Sequence, residues 1–191
     1  MFDITNNNIP QKGSILIAEP FLADIYFERS VVLLVKHNDK QGSMGFILNK
    51  MMTEKVNDFF PEMKDIDDIS IFKGGPINSD RLYFIHTLGD SIPDAYKVTD
   101  EIYYGGDFDA VKSYITSGNP VEGKIKFFLG YSGWEHEQLD DELEMNAWLV
   151  SKTEQSKIMK SRGEILWKKS LQDLGGEYKL WANFPRRPFM N

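Results

Sequence analysis

Three short apolar runs lie within the first fifty residues, and each one ends in polar residues or glycine. They occupy residues 13–20, 24–38 and 42–50. Apolar runs of four to eight residues bounded by turn signals are typical of strands that are buried on both faces. We therefore predict three buried strands in this part of the chain.

Apolar residues recur at helical spacing in several later segments. Residues 107–118 have Asp107 where the first-turn amides need a cap and Gly118 where the helix should end. Similar patterns predict helices over residues 51–60, 135–150 and 163–174, and residues 177–184 are predicted as a final strand.

The predicted helices and strands alternate irregularly, which favours a mixed sheet over a regular βαβ series. The expected fold class is α/β with mixed α+β character, in which helices flank a mixed β-sheet. Residues 1–12 are predicted to be a polar N-terminal arm, and residues 13–191 a single domain.

Composition excludes several kinds of chemistry. The chain of 191 residues contains no cysteine, which rules out disulfides, thiol catalysis and cysteine-bound zinc. The N-terminal residues lack the basic and apolar regions of a secretory signal, and no apolar stretch approaches the ~20 residues of a membrane span. We therefore expect a cytoplasmic protein with no membrane partner.

The formal net charge of −7 is unevenly distributed. Residues 151–191 contain nine Lys or Arg and four Asp or Glu, so the rest of the chain is strongly acidic. An acidic body repels phosphate backbones, which disfavours nucleic acid as a partner unless the basic C-terminal segment forms its own patch.

Several short motifs occur in a characteristic order. They are LIAEP, then F-E-R-S-V-V-L-L, H-N at His37–Asn38, M-G-x-x-L-N ending at Asn49, G-G-P at residues 74–76, L-G-Y-S-G-W at residues 129–134, and N-x-W-L at residues 146–149. In this order the motifs resemble the bacterial YqgE/AlgH family. At Glu137 the family usually has glycine.

The resemblance implies an α/β protein with a mixed sheet and a smaller interwoven subdomain. Some family members are labelled transcriptional regulators. The resemblance implies no metal motif and no cofactor, and we expect none here.

Polar residues cluster where the predicted strands end, which is where α/β folds commonly place a site. One interpretation is a polar cleft that binds a small anionic or amide-bearing ligand, with Arg29 as a bidentate hydrogen-bond donor and His37 as a proton carrier. The alternative is that Arg29 pairs with a nearby carboxylate while the others stabilise turns. The cluster consists of Glu19, Asp24, Arg29, His37, Asn38 and Asn49.

The aromatic turn around Tyr131 and Trp134 has two interpretations. Its rings form either one wall of a ligand site or part of the core, and core packing is the default for large aromatic rings. Ser132 resembles the serine of a nucleophile elbow, but that motif has glycine where this chain has Trp134. We therefore predict no catalytic serine here.

A near-match to a zinc signature, H-E-x-x-D, runs from His136 to Asp140. Carboxylates at a helix start are favoured by the helix dipole, and no third ligand is evident nearby. We predict no metal site.

Three functional hypotheses remain open. The preferred one is a non-enzymatic regulatory protein that binds a protein or small-molecule ligand through His37, Asn38, Asn49 and the Tyr131–Trp134 turn. The second is a small-molecule hydrolase with His37 as general base. The third is a transcriptional regulator that contacts DNA through the basic C-terminal segment, including Arg186 and Arg187.

Overall fold

The computed structural model describes residues 8–38 and 40–185. Within these residues the chain forms ten strands: β1 (Ile15–Ala18), β2 (Val31–Asn38), β3 (Gly42–Ile47), β4 (Met51–Lys55), β5 (Ser70–Lys73), β6 (Ile77–His86), β7 (Tyr96–Lys97), β8 (Tyr103–Tyr104), β9 (Ile125–Trp134) and β10 (Trp148–Ser151). The same residues form five α-helices: α1 (Phe108–Thr116), α2 (Gln138–Glu144), α3 (Gln155–Lys160), α4 (Gly163–Leu174) and α5 (Tyr178–Trp181).

The strands form one sheet in the order β10-β1-β2-β3-β9-β6-β8-β7; off this path, β5 pairs with β9 and β4 pairs with β5. Strand β5 pairs with β9 in parallel, and the other pairs found in the described residues are antiparallel. The sheet is therefore mixed and flanked by helices, as the sequence predicted.

Strand β9 belongs to two lobes of the sheet: the first lobe contains β10, β1, β2 and β3, and the second contains β4 to β8. Its second half pairs with β3, where Trp134 lies opposite Ser43, and its first half pairs with β5. Gly74 allows the close approach between the two lobes, because a Cβ there would lie 2.2 Å from the carbonyl oxygen of Gly130. This arrangement matches the interwoven subdomain that the family resemblance implied.

Helices cover the apolar surfaces of both lobes. Trp167 of α4 is fully buried against one face of the first lobe, and its indole N–H donates to the carbonyl of Ala18 at 2.7 Å. On the other face, Leu139 of α2 packs near Trp148. Helix α1 buries Val111 and Ile115 against the second lobe. No helix in the described ranges combines the length and apolar character that a membrane crossing needs.

The predictions for α1 and α4 are confirmed. Asp107 caps α1 by accepting from two backbone N–H groups of the first turn, and Gly118 has a φ of +79° just past its end. Helix α4 spans residues 163–174 as predicted, and Gly175 follows it with a φ of +77°.

Three element predictions are wrong. Residues 51–60 form β4 and a 3₁₀ turn at Val56–Asp58, because β4 pairs with β5. The helix predicted over residues 135–150 is only α2, since the chain then turns into β10 to pair with β1. Residues 178–181 form α5, where a strand was predicted.

Candidate functional site

Arg29 is buried and contacts the C-terminal part of the chain through its two terminal nitrogens, whereas its Nε has no hydrogen-bond partner among the described residues. Its guanidinium forms an ion pair with Glu164 of α4 and donates to the carbonyl of Phe184. It also lies 4.8 Å from the ring centre of Trp167. Arg29 therefore ties the loop before β2 to α4. The structural alternative predicted that Arg29 pairs with a carboxylate close to it in the sequence, but its partner is the distant Glu164. Because its guanidinium is directed at Glu164 and Phe184, Arg29 is not placed to act as a ligand clamp.

Asn49 connects three parts of the chain at the same end of the sheet. Its Oδ1 accepts from the N–H of Val31 at 2.9 Å, and its Nδ2 donates to the carbonyls of Arg29 at 2.9 Å and Gly163 at 3.2 Å. Glu19 follows β1 at this end. Burial raises the pKa of its carboxyl, and a hydrogen bond from the Phe21 backbone lowers it by a smaller amount. Asn49 is thus committed to stabilising backbone groups.

His37 and Asn38 lie at the opposite end of β2. Six residues of strand separate Val31 from His37, which corresponds to about 20 Å. His37 Nδ1 lies 2.8 Å from Ser43 Oγ, and Asn38 Oδ1 accepts from the backbone N–H groups of Lys40 and Gln41. The structure therefore does not bring these two residues together with Glu19, Arg29 and Asn49.

The residues of the aromatic turn contribute mainly to packing. Ser132 is fully buried, and its hydroxyl donates to the carbonyl of Gly74 at 3.0 Å. The Tyr131 ring packs edge-on against Tyr83, with ring centres 5.7 Å apart. Trp134 is buried and lies two strands away from His37, because Ser43 of β3 pairs with His37 on one side and with Trp134 on the other.

A single carboxylate fixes two tryptophans beneath α2. Glu142 Oε2 accepts from the indole N–H groups of Trp134 at 2.8 Å and Trp148 at 2.7 Å. Its other oxygen accepts from the side chain of Gln138 at 3.0 Å. The aromatic motif is therefore explained by helix packing, and ligand binding at the predicted residues stays a prediction.

The other two histidines, His86 and His136, are not placed for catalysis or metal binding. His86 is buried, a backbone N–H donates to its Nδ1 and its Nε2 faces a carbonyl, so the imidazole is held neutral and burial lowers its pKa. His136 precedes α2, which begins at Gln138, so His136 and Asp140 do not share a helix face. Among the described residues no group of three or more His, Asp or Glu is placed to hold a metal ion.

The most distinctive polar group in the structure is one that the motifs did not indicate. Lys126 lies in β9, and its side chain is 3% exposed. Its Nζ donates to the carbonyls of Ile158 and Ser161, both at 3.0 Å, and lies 4.2 Å from the ring centre of Phe72. Burial, with a smaller contribution from the positive charge of Arg162, lowers the pKa of Lys126 to about 7.

Lys126 lines a cleft of about 570 Å³, which we call the Lys126 cleft. The cleft lies at the N-terminal ends of the parallel strands β5 and β9, and Met159 of α3 and the loop between α1 and β9 complete its walls. Apolar and polar groups contribute about equally to its lining, and the apolar side chains include Ile66, Ile69, Phe72, Ile115, Val121 and Ile125.

Charged groups lie mainly at the rim of the cleft. Asp67 and Asp68 are exposed there, and Glu122 forms an ion pair with Arg162. Lys126 is the one lining lysine among the described residues, and unlike these rim groups it is buried. Strongly perturbed lysines in clefts are candidate functional groups.

Fold and motifs together define a mixed-sheet protein of the AlgH type. The AlgH-like family model matches residues 15–179, and the chain belongs to that family. It is 51% identical to a UPF0301 protein of Parabacteroides distasonis over 193 residues, covering 100% of this chain and 97% of the relative. A UPF0301 protein of Bacteroides fragilis is 49% identical, with the same coverage of each chain.

Two solved structures share the fold. The AlgH protein of Pseudomonas aeruginosa is 28% identical with a TM-score of 0.71, and the match covers 94% of this chain and 97% of that one. A Corynebacterium diphtheriae protein is 20% identical with a TM-score of 0.77, covering 96% and 100% of the two chains.

Proposed function

We propose that this protein is a non-enzymatic binding protein that takes up a small molecule in the Lys126 cleft. The observation that carries the proposal is the combination of about 570 Å³ of open volume with a buried lysine and a lining that is about half apolar. Pockets of roughly 300–1,000 Å³ that combine apolar side chains with polar groups are typical of small-molecule sites.

The lining indicates the kind of ligand. Apolar side chains favour a hydrocarbon body, and Lys126 offers one place for a polar head group. The carboxylates of Asp67 and Asp68 at the rim disfavour a ligand with several negative charges. We therefore favour a small amphipathic molecule whose head group reaches Lys126.

The position of the cleft suits a regulatory role. Met159 and Arg162 line it, and they flank the two carbonyls that accept from Lys126. Helix α4 begins immediately afterwards and is held to the sheet through Arg29 and Glu164. A ligand that displaces the lysine from these carbonyls would change how the C-terminal helices attach to the sheet.

A thermal-shift screen with small alcohols, aldehydes and carboxylic acids tests the proposal. Ser70 lines the cleft from β5, so Ser70→Trp should fill part of its volume. Thr53→Trp, at an exposed strand position outside the lining, is the matched control. We expect compounds that raise the Tm of the wild type and of Thr53→Trp, but not that of Ser70→Trp.

Two results would overturn the proposal. One is that no compound in the screen raises the Tm of the wild type. The other is that the stabilising compounds act equally on Ser70→Trp, which would place their site outside the Lys126 cleft.

A further inference from the structure

We propose that Lys126 captures a carbonyl compound in the cleft as a reversible imine, so that the ligand class is a small apolar aldehyde or ketone. This inference rests on the proposed function, because it names the ligand of the same cleft. It adds a covalent step that the binding proposal does not require.

A neutral amine can make both hydrogen bonds of Lys126. A neutral amine has two N–H groups and one lone pair, whereas an ammonium has three N–H groups. Two carbonyl oxygens, of Ile158 and Ser161, lie within hydrogen-bond distance of Nζ. When both N–H groups donate to these carbonyls, the nucleophilic lone pair of the amine is left uncommitted.

The surroundings of Lys126 favour the reactive form. Lysines that are desolvated in apolar pockets or placed beside another cation are the ones activated for imine chemistry. Lys126 has both features, since it is buried among apolar side chains and Arg162 lies nearby. A pKa of about 7 leaves a large share of the amine neutral at physiological pH.

The cleft also fits the other reactant. An uncharged aldehyde is not repelled by Asp67 and Asp68 at the rim, and its hydrocarbon part can pack against Ile115 and Val121. The burial of Lys126 limits the access of bulk water to an imine at its Nζ, which slows hydrolysis.

The step balances without an oxidant or reductant. The Lys126 nitrogen attacks the carbonyl carbon, a C–N bond forms, and the carbonyl oxygen takes up protons. The carbinolamine then loses this oxygen as water, which leaves a protonated imine on Lys126. The ammonium form of lysine and the carbonyl compound thus give the iminium and one water, and hydrolysis reverses the step.

Reductive trapping of the whole chain with hexanal and cyanoborohydride near neutral pH tests the inference. The reductant converts an imine into a stable secondary amine, and peptide mass spectrometry then locates the label. We expect Lys126 to be labelled at least about tenfold faster than an exposed lysine, since a lysine of ordinary pKa has roughly a 10³-fold smaller neutral fraction at this pH. The internal control is Lys160, an exposed lysine whose side chain packs over Gly123 at the edge of the cleft.

Hexanol separates this inference from the proposed function, because it can occupy the cleft but cannot form an imine. If hexanol and hexanal both bind and Lys126 is not labelled faster than Lys160, the imine is refuted and the binding function stands. If neither compound nor any other in the screen binds, the proposed function itself fails. Hexanol should also slow the labelling of Lys126 while leaving that of Lys160 unchanged, and equal labelling in its presence would contradict capture in the cleft.

Discussion

Replacing Lys126 by methionine should remove a large part of the pH dependence of stability. Methionine has a similar length and no charge, so it keeps most of the packing against Phe72. It leaves the carbonyls of Ile158 and Ser161 without their donor, which costs about 1–3 kcal/mol each. The informative quantity is therefore how the stability difference between variant and wild type changes with pH.

The magnitude follows from the lowered pKa of Lys126. Its pKa is 10.5 in the unfolded chain and about 7 in the fold, which corresponds to about 5 kcal/mol in total. Between these two values the unfolded chain binds a proton that the folded chain does not, so the wild type gains stability as pH rises. Below pH 7 the folded protein carries the full cost of burying the charged ammonium, and above pH 10.5 this cost is absent because the amine is neutral in both states. Between about pH 6 and about pH 9.5, roughly 3 kcal/mol should be recovered.

Urea unfolding of wild type, Lys126→Met and Lys124→Met at these two pH values measures the effect. Lys124 is exposed just before β9, so its variant controls for the loss of one positive charge. Relative to the wild type, Lys126→Met should become less stable by about 3 kcal/mol on going from the lower to the higher pH. If the difference is the same at both pH values, Lys126 does not have the lowered pKa and the reasoning fails.

Two further predictions concern α2 and the turn before it. Glu142→Ala should lower the free energy of unfolding by about 2–5 kcal/mol in urea unfolding, because it leaves the buried indole N–H groups of Trp134 and Trp148 without an acceptor. Glu144→Ala, at an exposed position of the same helix, is its control, and an equal loss in both variants would contradict this role. Glu137 has a φ of +65°, so Glu137→Gly should raise the Tm and stabilise the protein by about 1 kcal/mol, and a lower Tm would show that the turn is not strained.

Local signals for the ends of an element were correct for α1 and α4 but misleading for β4. Asp107 and Gly118 bound α1, and Gly175 ends α4. The segment that contains β4 also has end signals, with Thr53 as a candidate N-cap and Pro61 as a stop, and its apolar spacing fits a helix. It becomes a strand because β5 offers a pairing edge, which is a tertiary interaction that no local pattern contains.

The residues of the predicted site lie apart because the strands that carry them are antiparallel. Polar residues after successive strands converge when the strands are parallel, because their carboxyl ends then meet at one edge. Strands β1 and β2 are antiparallel, so Glu19 after β1 and His37 near the end of β2 lie at opposite edges. The sequence revealed where the strands end but not their relative direction.

The position of Lys126 within the apolar first half of β9 was a sequence signal that a search for motifs does not detect. It lies between Ile125 and Phe127 in a strand whose neighbouring residues are all buried, where a lysine is unusual. Its cleft lies at the N-terminal ends of β5 and β9, the end at which α/β sites are less expected.

The place of β9 in the sheet has a consequence during synthesis on the ribosome. β3, β5 and β6 all pair with β9, and β1 needs β10 as its outer neighbour. Until residue 151 has emerged, a nascent chain therefore exposes several unpaired strand edges that can aggregate. Stable folding must wait for the last third of the chain, which makes the growing polypeptide a natural client for chaperones.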